Sequence, residues 1–187
     1  IGLVGPPGSG KSTISHLIPR FYDVTEGAIT LDNQDIRNVT IRSLRNAVVV
    51  VQQDAFLFTT TLENNISYGN PWALPSQIID ASSSAQLEQF IATLPEGYKT
   101  VVGERGASLS GGQRQRMTIA RALLLNPSVL IFDDSTASVD AATEQLIRTS
   151  IQARVSERVT IIVAHRLNSL MHADRIFFLE QGQIVEQ

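Results

Sequence analysis

The sequence predicts an α/β fold: a mostly parallel sheet flanked by helices, with an inserted helical subdomain. Three observations predict it. Short apolar runs alternate with helix-like stretches toward both ends of the chain, and strands alternating with helices require a parallel sheet covered on both faces. Residues 47–51 are a continuous apolar, β-branched run, the mark of a strand buried on both faces. Residues 61–125 carry no strand signal and interrupt the alternation.

The bulk properties bound the answer. A chain of 187 residues is one domain by length, and 43% apolar content supports a sizeable core. A formal net charge of −3 argues against a polyanion-coating protein, so no nucleic-acid partner is expected. The absence of cysteine excludes disulfides and cysteine-type zinc sites and fits a reducing compartment. No apolar run approaches the roughly 20 residues of a membrane-spanning helix. The chain opens on a strand fragment, 1–4, that runs straight into a glycine loop. The expectation is that it begins inside a fold, with no signal peptide.

The elements follow in order. Residues 1–4 read as the end of a buried strand. Residues 11–21 read as a helix with Leu17 and Ile18 inward, and Pro19 is expected to distort its last turn. Glu26 and Gly27 form a turn, and 28–32 alternates as a short strand. Residues 36–45 are polar, with Ile41 and Leu44 at helical spacing. After the strand at 47–51 the helical middle has loops at Pro71, Pro75, Pro95 to Gly97, and Gly103 to Gly106. The serines at 82–84 read as a solvated helix face. Ser110 reads as the N-cap of a helix running to about Leu125, ended by Asn126 and Pro127. Then come a strand at 129–132, a helix at 141–154, a strand at 159–163, a helix at 167–170, and strands near 176–179 and 183–185.

Three stretches carry chemistry. GPPGSGKST at 5–13 matches the phosphate-loop pattern after a strand and before a helix. Gly5, Gly8, Ser9 and Gly10 let the backbone curl so that amides face one phosphate, and the helix N-terminus beginning near Lys11, Ser12 and Thr13 adds positive potential. Lys11 reaches the β and γ phosphates and Ser12 offers a hydroxyl to Mg²⁺. The second stretch is an apolar strand ending in an acid, Asp133, placed to hold Mg²⁺ through its water shell. Asp134 follows, where a carboxylate can orient or deprotonate an attacking water. Gln53 and His165 also follow strands: Gln53 could coordinate Mg²⁺ and position water, and His165 could hydrogen-bond the γ-phosphate. Polar groups at several strand C-termini gather at the edge where such sheets bind ligands. His16 and His172 read as structural.

The third stretch is LSGGQRQR at 109–116. Ser110, Gly111, Gly112 and Gln113 place a second set of phosphate-directed donors at a helix N-terminus. One active site does not need two such sets. The economical reading is two copies face to face, each closing the other's nucleotide site. Arg114, Arg116 and Arg121 by themselves read as a solvated helix face.

Taken together, these residues resemble the nucleotide-binding domain of an ABC transporter over essentially the whole chain. The phosphate loop resembles Walker A, Gln53 the Q-loop, 109–113 the signature, 129–133 Walker B, 137–140 the D-loop and His165 the switch histidine. The resemblance implies a P-loop, RecA-like core at about 1–58 and 127–187 and a helical subdomain at about 59–126. It implies ATP and Mg²⁺ as cofactors, and an Asp140 that contacts a second ABC ATPase domain across a dimer. PRFYDVTEG (19–27), QDAFLFTTTLENNISYG (53–69), LPEGYKTVVGERG (94–106) and VAHRL (163–167) resemble the exporter branch. That implies a transmembrane partner domain and a place at the cytoplasmic face of the membrane. In this family an aromatic residue upstream of the phosphate loop stacks on adenine, and it is not in this sequence. The family usually has Glu where this chain has Asp134. Exporters with non-identical halves often carry such an Asp in a sluggish site, so a heterodimer is favoured over a homodimer. Two alternatives stay open: a nucleotide-binding regulatory module with little turnover, and a non-transport ABC ATPase. Against the latter, no long coiled-coil or zinc insertion lies between the phosphate loop and the signature.

Overall fold

The computed structural model describes residues 1–134, 138–154, 158–164, 170–171 and 173–187. By its contacts the chain divides into two units. Unit 1 holds Ile1–Val50, Pro127–Asp134 and Arg158–Gln187; unit 2 holds Val51–Asn126 and Ser135–Glu157.

Unit 1 is built on the predicted sheet. Its strands are β1 (Gly2–Val4), β4 (Val48–Val51), β5 (Val129–Asp133), β6 (Val159–Val163), β7 (Ile176–Glu180) and β8 (Gln183–Glu186), in the order β4-β5-β6-β1-β7-β8. The β5–β6, β6–β1 and β1–β7 pairs are parallel, and β8 returns antiparallel to β7. A small antiparallel ribbon joins β2 (Thr30–Leu31) to β3 (Gln34–Asp35). Asp32 and Asn33 between them have φ of 50° and 63°, the two left-handed residues of a type I′ hairpin. The expected strand at 28–32 is thus shortened to two residues by its turn. The polar stretch that follows resolves into a short 3₁₀ turn and the helix α2 (Ile41–Ala47).

The core of unit 1 joins Leu3, Ile131, Ile161, Val163 and Leu179 of the sheet to Ile36 and Leu44. Ile14 and Ile18 pack on it from α1 (Lys11–Leu17) and the residue after it. That helix ends earlier than expected. Arg20 takes a left-handed φ of 56°. Its N–H bonds the Leu17 carbonyl and the Phe21 N–H bonds the His16 carbonyl, both at 3.0 Å. This is a Schellman closure, and Pro19, which has no N–H, cannot extend the ladder. The strand buried on both faces proves to be β5, in which Val129 to Phe132 are all buried. The valine run expected in that role, β4, stands at the sheet's edge with Val49 and Val50 half-buried. Five consecutive apolar side chains do not say which strand will acquire two neighbours.

Unit 2 contains α3 (Leu62–Ile66), α4 (Pro75–Ser84), α5 (Glu88–Ala92), α6 (Gly111–Leu124) and α7 (Ala141–Arg154). Helix α6 packs on α3 and α4, burying Met117 and Ile119 with Leu62 and Ile66 completely. Among the described residues the middle of the chain holds no strand beyond the isolated bridge Thr61–Val101. The expectation of a solvated serine face fails at two of three positions. Ser82 and Ser84 are buried and donate to the carbonyls of Ile78 and Asp80 at 2.7 and 3.0 Å, while Ser83 is exposed. A serine bonded back to its own helix carries no unmet polarity into a core. Among the described residues no helix is long and apolar enough to cross a membrane.

Candidate functional site

The phosphate loop leaves β1 and is wedged against its neighbour β7. A Cβ on Gly5 would lie 2.1 Å from the Leu179 carbonyl oxygen, so no other residue fits there. Gly8 and Gly10 also have positive φ. Gly182, in the β7–β8 turn, donates its N–H to the Ser9 carbonyl at 3.0 Å and pins the loop from the far side. Lys11 is only 4% exposed. Its ammonium donates to the carbonyls of Gly5 (2.8 Å) and Pro6 (2.9 Å) and to Ser9 Oγ (3.4 Å). These oxygens fix its position with dipoles, and it makes no ion pair among the described residues. The ammonium is thereby held at the loop with no carboxylate among the described residues to pair with it, which is what a polyphosphate requires. Ser12 and Thr13 are exposed at the start of α1, whose N-cap, Gly10, offers no side-chain cap. The first-turn amides are left without a competing side-chain acceptor.

The acidic strand end lies at the same edge of the sheet. In the parallel register Asp133 pairs with Val163 of β6, and β6 pairs with β1. Asp133 and the phosphate loop therefore both leave from strand C-termini separated by one strand. Asp133 accepts a 2.6 Å hydrogen bond at Oδ2 from Ser15 Oγ, and Ser15 is fully buried. Sequence reading missed Ser15, although its place four residues after Lys11, one helical turn on, was a usable signal. Asp134 is half-buried with φ 46°, and its N–H bonds the Val163 carbonyl at 2.9 Å. Its carboxylate makes no hydrogen bond among the described residues.

This donor set suits Mg²⁺. Magnesium keeps several waters and is typically held by one or two carboxylates plus phosphate oxygens. An exposed serine hydroxyl and a single tethered carboxylate meet that pattern. A cage of three or more His, Cys, Asp or Glu is absent among the described residues.

Unit 2 carries the remaining residues. Ser110 caps α6 in a reciprocal box: its Oγ accepts the Gln113 N–H at 3.2 Å, and Gln113 Oε1 accepts the Ser110 N–H at 2.8 Å. Ser110 remains exposed, and since Oγ only accepts here, its hydroxyl proton is free to donate. Gly112 lies against the 138–140 segment, where a Cβ would sit 3.0 Å from the Ser138 carbonyl oxygen. Asp140 caps α7, accepting the Thr143 N–H at 2.9 Å. That bond, with help from Arg116, holds its carboxyl below the usual range.

The arginines overturn the solvated-face expectation. Arg114 donates to the Gly106 and Leu109 carbonyls, and Arg116 to that of Gln86. Burial pushes the Arg116 guanidinium below its ordinary value, with Asp140 opposing. Arg121 donates to the carbonyls of Asn65 (2.8 Å) and Phe56 (3.1 Å) and to Asn65 Oδ1 (3.0 Å), beneath the stacked rings of Phe58 and Tyr68. These cations brace loops. Gln53 is exposed just past β4, and the preceding Gln52 carbonyl accepts a 3.3 Å bond from Gln115 Nε2, a buried residue of α6 that sequence reading passed over. Unit 1 thus assembles Lys11, Ser12, Asp133 and Asp134, and unit 2 carries Gln53, the signature and Asp140. His165, His172 and Ala137 lie outside the described residues. His16 packs edge-on to Phe21, with ring centroids 5.7 Å apart, in a structural role.

The model of the ABC transporter family matches residues 1–137. The chain belongs to that family. Its sheet and helices form the P-loop fold of an ABC ATPase. It is 48% identical, with a TM-score of 0.95, to a bacterial Atm1-family ABC exporter solved with ATP bound, covering 99% of this chain and 33% of that one. Two Bacillus subtilis proteins are each 49% identical over all of this ABC domain: the ABC transporter ATP-binding protein YknU and YgaD, which is named for multidrug export as an ATP-binding/permease protein. The chain spans about a third of the length of these relatives, 32% in each case.

Proposed function

We propose that this chain is the ATP-binding and ATP-hydrolysing engine of an exporter, working at the cytoplasmic face of a membrane beside a transmembrane domain. Two such domains would close around two MgATP, each nucleotide lying between the Lys11 loop of one and the Ser110 helix end of the other. The observation that carries this reading is the pair of independent devices suited to phosphate: a buried Lys11 in a glycine loop, without an ion pair among the described residues, and an exposed, self-capped Ser110. Closure would move the membrane domain, and hydrolysis with product release would reset it.

Catalysis in this reading is positioning and charge neutralisation. Lys11 and the loop amides hold the β and γ phosphates. Ser12 and Asp133 would hold Mg²⁺, with Gln53 as a further oxygen ligand; the ion supplies charge neutralisation across the phosphates. Asp134 accepts a proton from, or orients, the attacking water, and His165 hydrogen-bonds the γ-phosphate. The shorter Asp134 favours a heterodimer in which this chain holds the slow site and lends its signature to a faster partner site. The same residue is the one specific point in favour of a regulatory module with little turnover.

A mixing experiment tests the arrangement in the full-length exporter. A subunit carrying Lys11→Ala is paired with one carrying the equivalent of Ser110→Ala. If the devices act across the dimer, the partner's phosphate loop and this chain's Ser110 still form one intact site; most of the wild-type ATPase activity persists if that is the faster site, and about half if the two sites are equal. If both act within one chain, each subunit is dead and the mixture has none, which overturns the proposal.

A further inference from the structure

Ser15 is a polar side chain with no exposed surface, on the inner face of α1. Its hydroxyl has one proton and two oxygens in reach: Asp133 Oδ2 at 2.6 Å and the Ser12 carbonyl at 2.9 Å. The shorter contact, to the acceptor with formal charge, takes the proton. The two residues are 118 positions apart, so this is the bond that ties the phosphate-loop helix to the acidic strand. A carboxylate turns readily about its last torsion, which is broad and roughly two-fold. With Oδ2 held by a buried donor, that rotation is stopped. Oδ1 has no hydrogen-bond partner among the described residues and is the oxygen left for a metal's water shell.

We infer that Ser15 is a positioning residue for the metal half of MgATP. It does not touch ion or nucleotide; it fixes which oxygen of Asp133 is presented and keeps that carboxylate in register with the loop through α1. The inference rests on the reading of this site as a Mg²⁺-nucleotide site. An outer partner of a metal-holding carboxylate is worth roughly 10-fold or more in metal affinity.

The test uses the full-length exporter, purified with a partner whose own phosphate-loop lysine is replaced by Ala, and the variants Ser15→Ala and Ser15→Thr. ATP affinity is measured in EDTA and again across a Mg²⁺ titration, alongside the Mg²⁺ concentration for half-maximal ATPase and the melting temperature. Ser15→Ala is expected to leave the EDTA affinity in place and raise the half-saturating Mg²⁺ roughly 10-fold. Ser15→Thr, which keeps the hydroxyl, should restore it. An unmoved Mg²⁺ dependence in a folded Ala variant overturns the inference. So does an equal loss of affinity with and without Mg²⁺, which marks a merely structural serine. If the Ala variant melts early, Ser15→Cys, close in volume but a weak donor, carries the same comparison. A wild-type protein whose ATP affinity and turnover ignore Mg²⁺ overturns the proposed function itself, a failure separable from an Ala variant that behaves like wild type.

Discussion

Replacing Asp134 by Glu is the sharpest single perturbation of the proposed chemistry. The backbone at this position cannot drift, because its N–H is fixed to the Val163 carbonyl at 2.9 Å. The added methylene therefore converts into reach, advancing the carboxylate by about 1–1.5 Å. A misplacement near 1 Å costs about 100-fold in rate, which corresponds to roughly 2.7 kcal/mol of barrier. The present carboxylate makes no hydrogen bond among the described residues, so the exchange sacrifices none of their bonds. One opposing effect is local. Residue 134 has φ 46°, a conformation Asp tolerates better than Glu, and the cost of the exchange is about 1 kcal/mol of stability at most. The barrier effect wins. The assay is steady-state ATPase of the full-length exporter assembled with its true partner, the partner's own phosphate-loop lysine replaced by Ala so that only this chain's site turns over, with a thermal melt run beside it. Turnover should rise by up to about two orders of magnitude, while the melting temperature falls by a few degrees at most. Unchanged turnover, with ATP still bound and the fold retained, would refute the claim that carboxylate reach limits this site.

Three further outcomes follow from the geometry. Gly5→Ala drives a Cβ into the Leu179 carbonyl; nucleotide binding should be abolished and stability should fall by about 3 kcal/mol or more, read by ATP titration and thermal unfolding. Ser110→Asp keeps an N-cap as good as serine but sets an anion where a phosphate is expected, so the melting temperature should hold while ATPase activity collapses; retained activity would show that Ser110 serves only its helix. Asp140 has its carboxyl held below the ordinary value of 3.8, so its stabilising bond to Thr143 is fully present above that pH and is lost as pH falls through the lowered value. Asp140→Asn should keep the cap at neutral pH and flatten the acid limb of the unfolding curve, measured by denaturant titration at a series of pH values.

Much of the candidate site was legible in the sequence, for a physical reason. The phosphate binding proposed for Gly5 to Thr13 would depend on consecutive backbone amides and one lysine, so the information is contiguous. The Ser110–Gln113 capping box, closed at 2.8 and 3.2 Å, is likewise local, as are the helix at 141–154 and the strand at 159–163, which took the bounds their spacing implies. Legibility failed where burial decides the role. Arg121 looked solvated because its charge is visible in sequence while the Asn65 and Phe56 carbonyls that receive it are not. Ser82 and Ser84 failed for the same reason, and β4 because valines cannot announce whether a strand will be central.

By itself, then, the amino-acid order determined the alternating α/β architecture, the glycine loop with its lysine, the acidic strand end and the capped Ser110 helix, since each is set by steric and hydrogen-bonding preferences within about ten residues. Only the tertiary structure decided that Ser15 grips Asp133, that Gln115 reaches the Gln52 carbonyl, and that the signature arginines brace loops. Those contacts bridge residues far apart in the chain, or depend on whether water is excluded. Desolvation is a property of the packed assembly of elements, and no local stretch of sequence encodes it alone.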